Sequence, residues 1–98
     1  MEYITEANRI VSFDENNNLI AEVTFPTRDE KRVDINHVYV DESLRGQGIA
    51  SHLMKLAYLE IKARGRLIVA KCPYAISWFK KYPEYQDIVI NVKTQNKE

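Results

Sequence analysis

The sequence predicts a mixed α/β fold, α+β-like in its ordering, in which a central and mostly antiparallel sheet of about five strands carries two helices. Three observations predict it. Strand-like segments follow one another from Arg9 to Val40 with only short polar turns between them. A strongly apolar helix pattern starts directly after the loop Arg45-Gly46-Gln47-Gly48. A short apolar run, Arg66 to Ala70, then leads through Pro73 into a second helix pattern and a last strand-like segment.

Arg9–Asp14 and Leu19–Pro26 are expected to form a hairpin around Glu15–Asn18, where the asparagines tolerate the left-handed backbone of a tight turn. After the charged turn at residues 27–31, "RVDINHVYV" alternates. Val33, Ile35, His37 and Tyr39 take one face, and Asp34, Asn36, Val38 and Val40 the other. This reads as a third strand, antiparallel to the second because the connection is short.

Residues 49–64 read as a helix with Ile49, Leu53, Met54, Ala57 and Ile61 on one side, widened by Leu56 and Leu59. Ser51, His52, Lys55 and Lys62 leave only a narrow polar stripe, so the helix is expected to lie against the sheet. Gly65 suits its end. The run "RLIVA" lacks alternation, as does a strand buried on both faces. Pro73 suits the first position of a helix running to Tyr82, since a missing N–H costs nothing there. Trp78 and Phe79 sit at helical spacing and read as core. Gln86–Val92 is expected as the final strand and residues 93–98 as a frayed polar tail.

At 98 residues the chain has room for one domain, residues 1–98. Fourteen basic and fourteen acidic residues cancel, which disfavours a dedicated nucleic-acid binder. No basic amphipathic helix and no long apolar run suggests a membrane partner. "MEYITEANRI" lacks the apolar stretch of a signal peptide. The single cysteine, Cys72, permits no intramolecular disulfide, which favours the cytoplasm. One cysteine and two histidines, His37 and His52, make no metal cluster, and no metal is expected. The chain is expected to be a monomer.

The junction between the third strand and the first helix is the most informative stretch. The first turn of a helix has backbone N–H groups without partners, and the helix dipole is positive there. Gly46 and Gly48 let the backbone curl around an anion, and Arg45 adds a charged fork. The bland alternative is a glycine-containing turn with no ligand. Gly48 is followed by Ile49 and Ala50 rather than Lys-Ser/Thr, so the loop is not a P-loop. A dinucleotide fingerprint would want a third glycine where Ser51 stands and an acid where Lys71 stands.

"VYVDESLRGQGIA" resembles the pyrophosphate-binding motif of the GNAT superfamily of N-acetyltransferases, Arg/Gln-x-x-Gly-x-Gly/Ala, through Arg45, Gly48 and Ala50. "LIVAKCPYAISWFKKYPEY" is similar to the strand and helix that follow in that family. The likeness runs from Asp34 to Tyr85. It extends to a short-chain, acetyl-CoA-binding group with a histidine on the strand before the loop and a cysteine after the next strand. The resemblance implies a truncated GNAT fold and acetyl-CoA as ligand. The backbone of Arg45, Gly46, Gln47, Gly48, Ile49, Ala50 and Ser51 would bind the pyrophosphate. The pantetheine arm would lie between strands ending at Val40 and Ala70 that splay apart, and amides near Tyr39 and Val40 would polarise the thioester carbonyl. Lys55, one helical turn on, would reach the 3′-phosphate; the alternative is a solvated helix lysine.

Two departures from the family matter. No helices separate the first strands, so the acceptor pocket is open or completed by something else, which suits a protein or peptide amine. The family's proton-donating tyrosine falls on Phe79 when Ala75 is laid on the family's alanine. Cys72, expected at a helix N-cap, is then a candidate either to protonate coenzyme A or to carry the acetyl group, against the plain alternative of a small buried residue. His37 is the candidate base, because histidine changes charge near neutral pH; the alternative is a strand histidine bonded to a neighbour. His52 reads as solvated. The sequence thus points to an N-acetyltransferase with an unidentified amine acceptor. The alternative is a non-catalytic acyl-CoA-binding sensor or interaction module.

Overall fold

Residues 1–93 are described by a computed structural model; of the expected tail, Thr94–Glu98 lie outside the described residues. Strands β1 (Ile4–Thr5), β2 (Arg9–Phe13), β3 (Leu19–Thr24) and β5 (His37–Val40) form a four-stranded antiparallel sheet in that order. β4 (Arg32–Ile35) pairs in parallel with β6 (Leu67–Ala70). The helices are α1 (Ile49–Ala63) and α2 (Pro73–Lys81), with short 3₁₀ turns at Glu42–Leu44 and Pro83–Tyr85. The mixed α/β fold with a mostly antiparallel sheet and two helices is the predicted one.

The hairpin closes as its residues dictate. Asn17 takes the left-handed conformation (φ 66°), and the Asp14 carboxylate accepts N–H bonds from Asn16 and Asn18. Those bonds, Asn18's first, hold the Asp14 carboxyl below its ordinary value. The other end of α1 stops by a paired motif at Gly65 (φ 73°): Arg66 N–H donates to Ile61 at 3.1 Å and Gly65 N–H to Lys62 at 3.0 Å.

Helix α1 packs against β2, β3, β5 and β6. Its buried residues are Ile49, Leu53, Met54, Ala57, Tyr58 and Ile61, and they meet Ile10, Ala21, Val23 and Phe25 in one continuous apolar cluster. Leu59, expected to widen this face, is exposed instead. Trp78 and Phe79 are buried as expected. In β6, Ile68, Val69 and Ala70 are all buried, which explains the missing alternation. Among the described residues, no helix is long and apolar enough to cross a membrane.

Three expectations are corrected. Ile4–Thr5 adds a strand that two residues cannot announce. The expected strand 32–40 is two strands, because it breaks at Asn36: Ile35 still pairs with Ala70, whereas His37 pairs with Thr24. The break shifts the alternation by one. Val33 and Ile35 are continued on the core side by Val40 and the half-buried Val38, so His37 and Tyr39 do not share their face. The expected strand Gln86–Val92 is reduced to one bridge, Ile68 to Val89. It continues through a side chain, for the Asn91 amide accepts from Ala70 N–H at 2.9 Å and donates to the Ala70 carbonyl at 2.8 Å.

Candidate functional site

The break at Asn36 opens the site. The parallel pair β4–β6 ends where Lys71 N–H (2.8 Å) and Cys72 N–H (3.3 Å) both donate to the Ile35 carbonyl. Beyond that point β5 follows β3, the other chain turns into α2, and the two diverge. The bond from Asp41 N–H to the Ile20 carbonyl fixes the phase of β5 on β3. Tyr39, opposite Glu22, therefore turns its backbone groups toward β3, while Val38 and Val40 turn theirs into the gap.

The loop after β5 is held from both sides. Asp41 caps the 3₁₀ turn through Ser43, and its carboxyl lies below the ordinary value mainly because the Ser43 hydroxyl and then its N–H donate to it. Arg45 Nε donates to the Val40 carbonyl at 3.1 Å, tying the loop to the end of β5. Gly46 (φ 85°) and Gly48 (φ 79°) occupy the left-handed region, and a Cβ built on either would meet no atom within 4 Å. Glycine is needed here for backbone conformation, not for lack of room. Gly48 caps α1 without a side-chain bond to the first-turn amides. A groove continues from this loop along β5, with Val40, Arg45, Ala50 and Tyr74 common to its two adjoining recesses of about 220 and 280 Å³.

Cys72 stands at the N-cap of α2, as expected, with its Sγ accepting from Ala75 N–H at 3.3 Å and Pro73 in the first turn. It is half-buried. His37 is exposed at the start of β5, with Nε2 3.6 Å from Oε1 of Glu22, which in turn accepts from Arg9 Nη1 at 2.8 Å. Cys72 and His37 thus flank one strand end, joined through Ile35 and Asn36. His52 is exposed on α1 with its ring against Tyr3. Among the described residues no three His, Cys, Asp or Glu side chains gather to hold a metal.

Two residues have a place at the site that the sequence reading does not assign them. Tyr74 walls the groove opposite β5, and burial, followed by the Tyr82 phenol and the Cys72 thiol, raises its phenol above the ordinary value. Its one-turn spacing from Trp78 was the available signal. Glu22 sits beside His37 because of the shifted phase, whose trace in the sequence is the polar pair Asn36-His37.

The sequence profile of the GCN5-related N-acetyl-transferase family matches residues 9–88. The chain belongs to this family. Among solved structures, it is similar to a GCN5-like protein of Staphylococcus aureus at 28% identity and a TM-score of 0.78, covering 94% of this chain and 90% of that one. It is also similar to the GNAT family N-acetyltransferase YhbS of Escherichia coli, solved in complex with CoA. There the identity is 26% and the TM-score 0.55, over 63% of this chain and 38% of that one. An N-acetyltransferase of S. aureus Mu50 shares 29% identity and a TM-score of 0.57, over 76% of this chain and 50% of that one. The chain thus spans half or less of the two larger GNAT proteins. No curated protein matches the sequence.

Proposed function

We propose that the protein is an N-acetyltransferase that draws its acetyl group from acetyl-CoA and delivers it to an amine. The observation that carries this reading is the glycine cradle at the N-terminus of α1 opening onto the gap beside β5, in a chain of this family. The backbone of residues 45–51 would hold the diphosphate, with Arg45 adding charge. The pantetheine arm would lie along β5, bonded to Val38 and Val40 as an added strand would be, and this brings the thioester to Cys72 and His37.

The chemistry then follows from those two side chains. The nucleophile attacks the thioester carbonyl, a C–N or C–S bond forms, and the bond to the coenzyme sulfur breaks. The Val40 amide would polarise the carbonyl. His37 takes the proton that the amine loses. The Cys72 sulfur is half-buried at the N-terminus of α2 and acts as an acceptor there, taking an N–H bond from Ala75 at 3.3 Å. We place it as the acetyl carrier. Its S–H proton goes to the departing coenzyme A sulfur as it takes the acetyl group. The amine then attacks the Cys72 thioester, a C–N bond forming as that C–S bond breaks, with the amine's proton passing through His37 back to the Cys72 sulfur. The acceptor side is open, which suits an amine on a protein or peptide.

One observation favours the second reading, a binder without turnover. Phe79, at the position of the family's acid, is fully buried and has no proton to give.

The test is calorimetric titration of acetyl-CoA and CoA into wild type, Gly48→Ala and Gly48→Glu. Gly48→Ala isolates the backbone strain, while Gly48→Glu adds a carboxylate where the diphosphate would sit. A loss of about tenfold or more in Gly48→Glu beyond that in Gly48→Ala is expected. Equal affinity in all three proteins overturns the site. Release of free coenzyme A thiol against amines and peptides separates transferase from binder.

A further inference from the structure

Glu22 lines neither recess of the groove, yet the sheet aims it at His37. Across β2, β3 and β5 the register makes two rows. Arg9, Thr24 and His37 stand in one, and Val11, Glu22 and Tyr39 in the next. Ala21 and Val23 belong to the core, so Glu22 and Thr24 share the opposite face. Glu22 therefore lies diagonally between Arg9 and His37, a separation that long side chains span. Its two carboxylate oxygens divide between them. Oε2 accepts from Arg9 Nη1 at 2.8 Å, and Oε1 lies 3.6 Å from His37 Nε2.

The carboxylate is fixed by its surroundings. Its side chain is 12% exposed, against 53% for that of His37. Arg9 is held in turn by Glu6, whose Oε1 accepts from Arg9 Nε at 2.6 Å. The neighbouring hydroxyls are engaged elsewhere, Thr24 with Asn36 and Tyr39 with Asp41. Among the described residues, Glu22 is the polar partner of the His37 ring. In a neutral imidazole, the partner of one nitrogen decides which nitrogen carries the hydrogen. A carboxylate beside Nε2 favours the hydrogen there, which leaves Nδ1 as the basic nitrogen. The 3.6 Å gap is too wide for a hydrogen bond but within ion-pair range, so the attraction is greatest once the ring becomes an imidazolium.

We propose that Glu22, anchored by Arg9, is a positioning residue for His37: it keeps the hydrogen on Nε2, leaves Nδ1 to take the acceptor's proton, and offsets the charge that the ring then gains. The amine's proton arrives on Nδ1, leaves from the same nitrogen, and never passes to Glu22. The proposal rests on the acetyltransferase reading for its reaction, while the state of the ring can be read without turnover.

The experiment records ring-nitrogen NMR shifts of His37, with the imidazole neutral, and steady-state acetyl transfer to a lysine peptide, in wild type, Glu22→Gln and Arg9→Ala. Wild type is expected to show a predominant tautomer with its hydrogen on Nε2. Glu22→Gln keeps the size of the side chain and removes its charge, and its amide can donate to Nε2. That preference should therefore vanish or reverse, and kcat should fall about tenfold with KM for acetyl-CoA unchanged. Arg9→Ala spares the carboxylate but frees it, so the same preference should weaken; it also carries the test should Glu22→Gln not fold. Identical ring shifts in wild type and Glu22→Gln overturn the assignment, as does a kcat in Glu22→Gln within about twofold of wild type. Ring shifts unmoved in Arg9→Ala overturn the anchoring role of Arg9. If wild type acetylates no lysine peptide, that acceptor fails and the spectra alone decide: a tautomer lost in Glu22→Gln upholds the assignment, and an unchanged one overturns it.

Discussion

The indole Nε1 of Trp78 donates to the hydroxyl of Ser51 at 2.8 Å, fastening the first turn of α1 to the middle of α2. Trp78 is only 3% exposed, and its ring also meets Phe79, Tyr82 and Tyr85 at 5.0–5.3 Å between centroids. The bond sets where the glycine cradle lies relative to Cys72. Ser51→Ala leaves a buried N–H without its partner and should cost about 1–3 kcal/mol in urea unfolding. Trp78→Phe in the Ser51→Ala background removes the orphaned donor but also shrinks the ring. A double-mutant cycle is therefore expected to show a favourable coupling of about 1 kcal/mol between the two. Strict additivity would mean the bond contributes nothing to stability.

Asn91 carries a second prediction. Its side-chain amide bonds both backbone groups of Ala70, standing in for one residue of a neighbouring strand. Asn91→Ala should cost about 1–2 kcal/mol and speed hydrogen exchange at the Ala70 amide, which is otherwise buried. Asn91→Asp keeps the acceptor and loses the donor, so Ala70 N–H should stay protected while stability still drops. If Ala70 exchanges at the same rate in all three proteins, the edge is covered by something other than this side chain.

These features show which parts of the fold were legible. Helix α1 could be read because Ile49, Leu53, Met54, Ala57 and Ile61 repeat at helical spacing, and the Cys72 cap because Pro73 follows it. The break at Asn36 leaves a fainter trace, the polar pair Asn36-His37 that moves the apolar positions from 33 and 35 to 38 and 40, and the strand divides there because Ile35 pairs with β6 and His37 with β3. That same break moves His37 out to Glu22 and turns Val38 and Val40 into the gap. The site's outline was therefore readable, while the facing of its side chains was set by pairing partners distant in sequence. The last strand failed for a related reason: its ladder is completed by the side chain of Asn91, which no β-pattern records.

Acid stability gives a prediction independent of function. Asp29 accepts from Arg32 through its guanidinium and from the Lys31 and Arg32 amides, and the Arg32 side-chain bond leads in lowering its carboxyl to about 2. A depressed carboxyl contributes stability that is complete above its unfolded value of about 3.9 and is lost as pH falls through the folded value. The difference in melting temperature between wild type and Asp29→Asn should thus be constant above about pH 5 and shrink as pH falls toward 2. The site is exposed, so the effect is expected to be small and to weaken in high salt. A difference that stays constant down to pH 2 would sink the assignment.

Cys72 permits a test that separates its place in the helix from its chemistry. Serine is a good N-cap, so Cys72→Ser should keep the bond to the Ala75 amide and unfold with wild-type stability, whereas Cys72→Ala should lose about 1 kcal/mol. Chemistry orders the variants differently. If the sulfur carries the acetyl group, wild type mixed with acetyl-CoA gains one acetyl by intact mass. Both variants should fail to do so, and their transfer rates should fall about a hundredfold or more although only one of them is destabilised. Coenzyme affinity should change little in Cys72→Ser, because the cradle at residues 45–51 is untouched. Should Cys72→Ser transfer acetyl at the wild-type rate, the residue acts as a helix cap and the amine attacks the thioester directly.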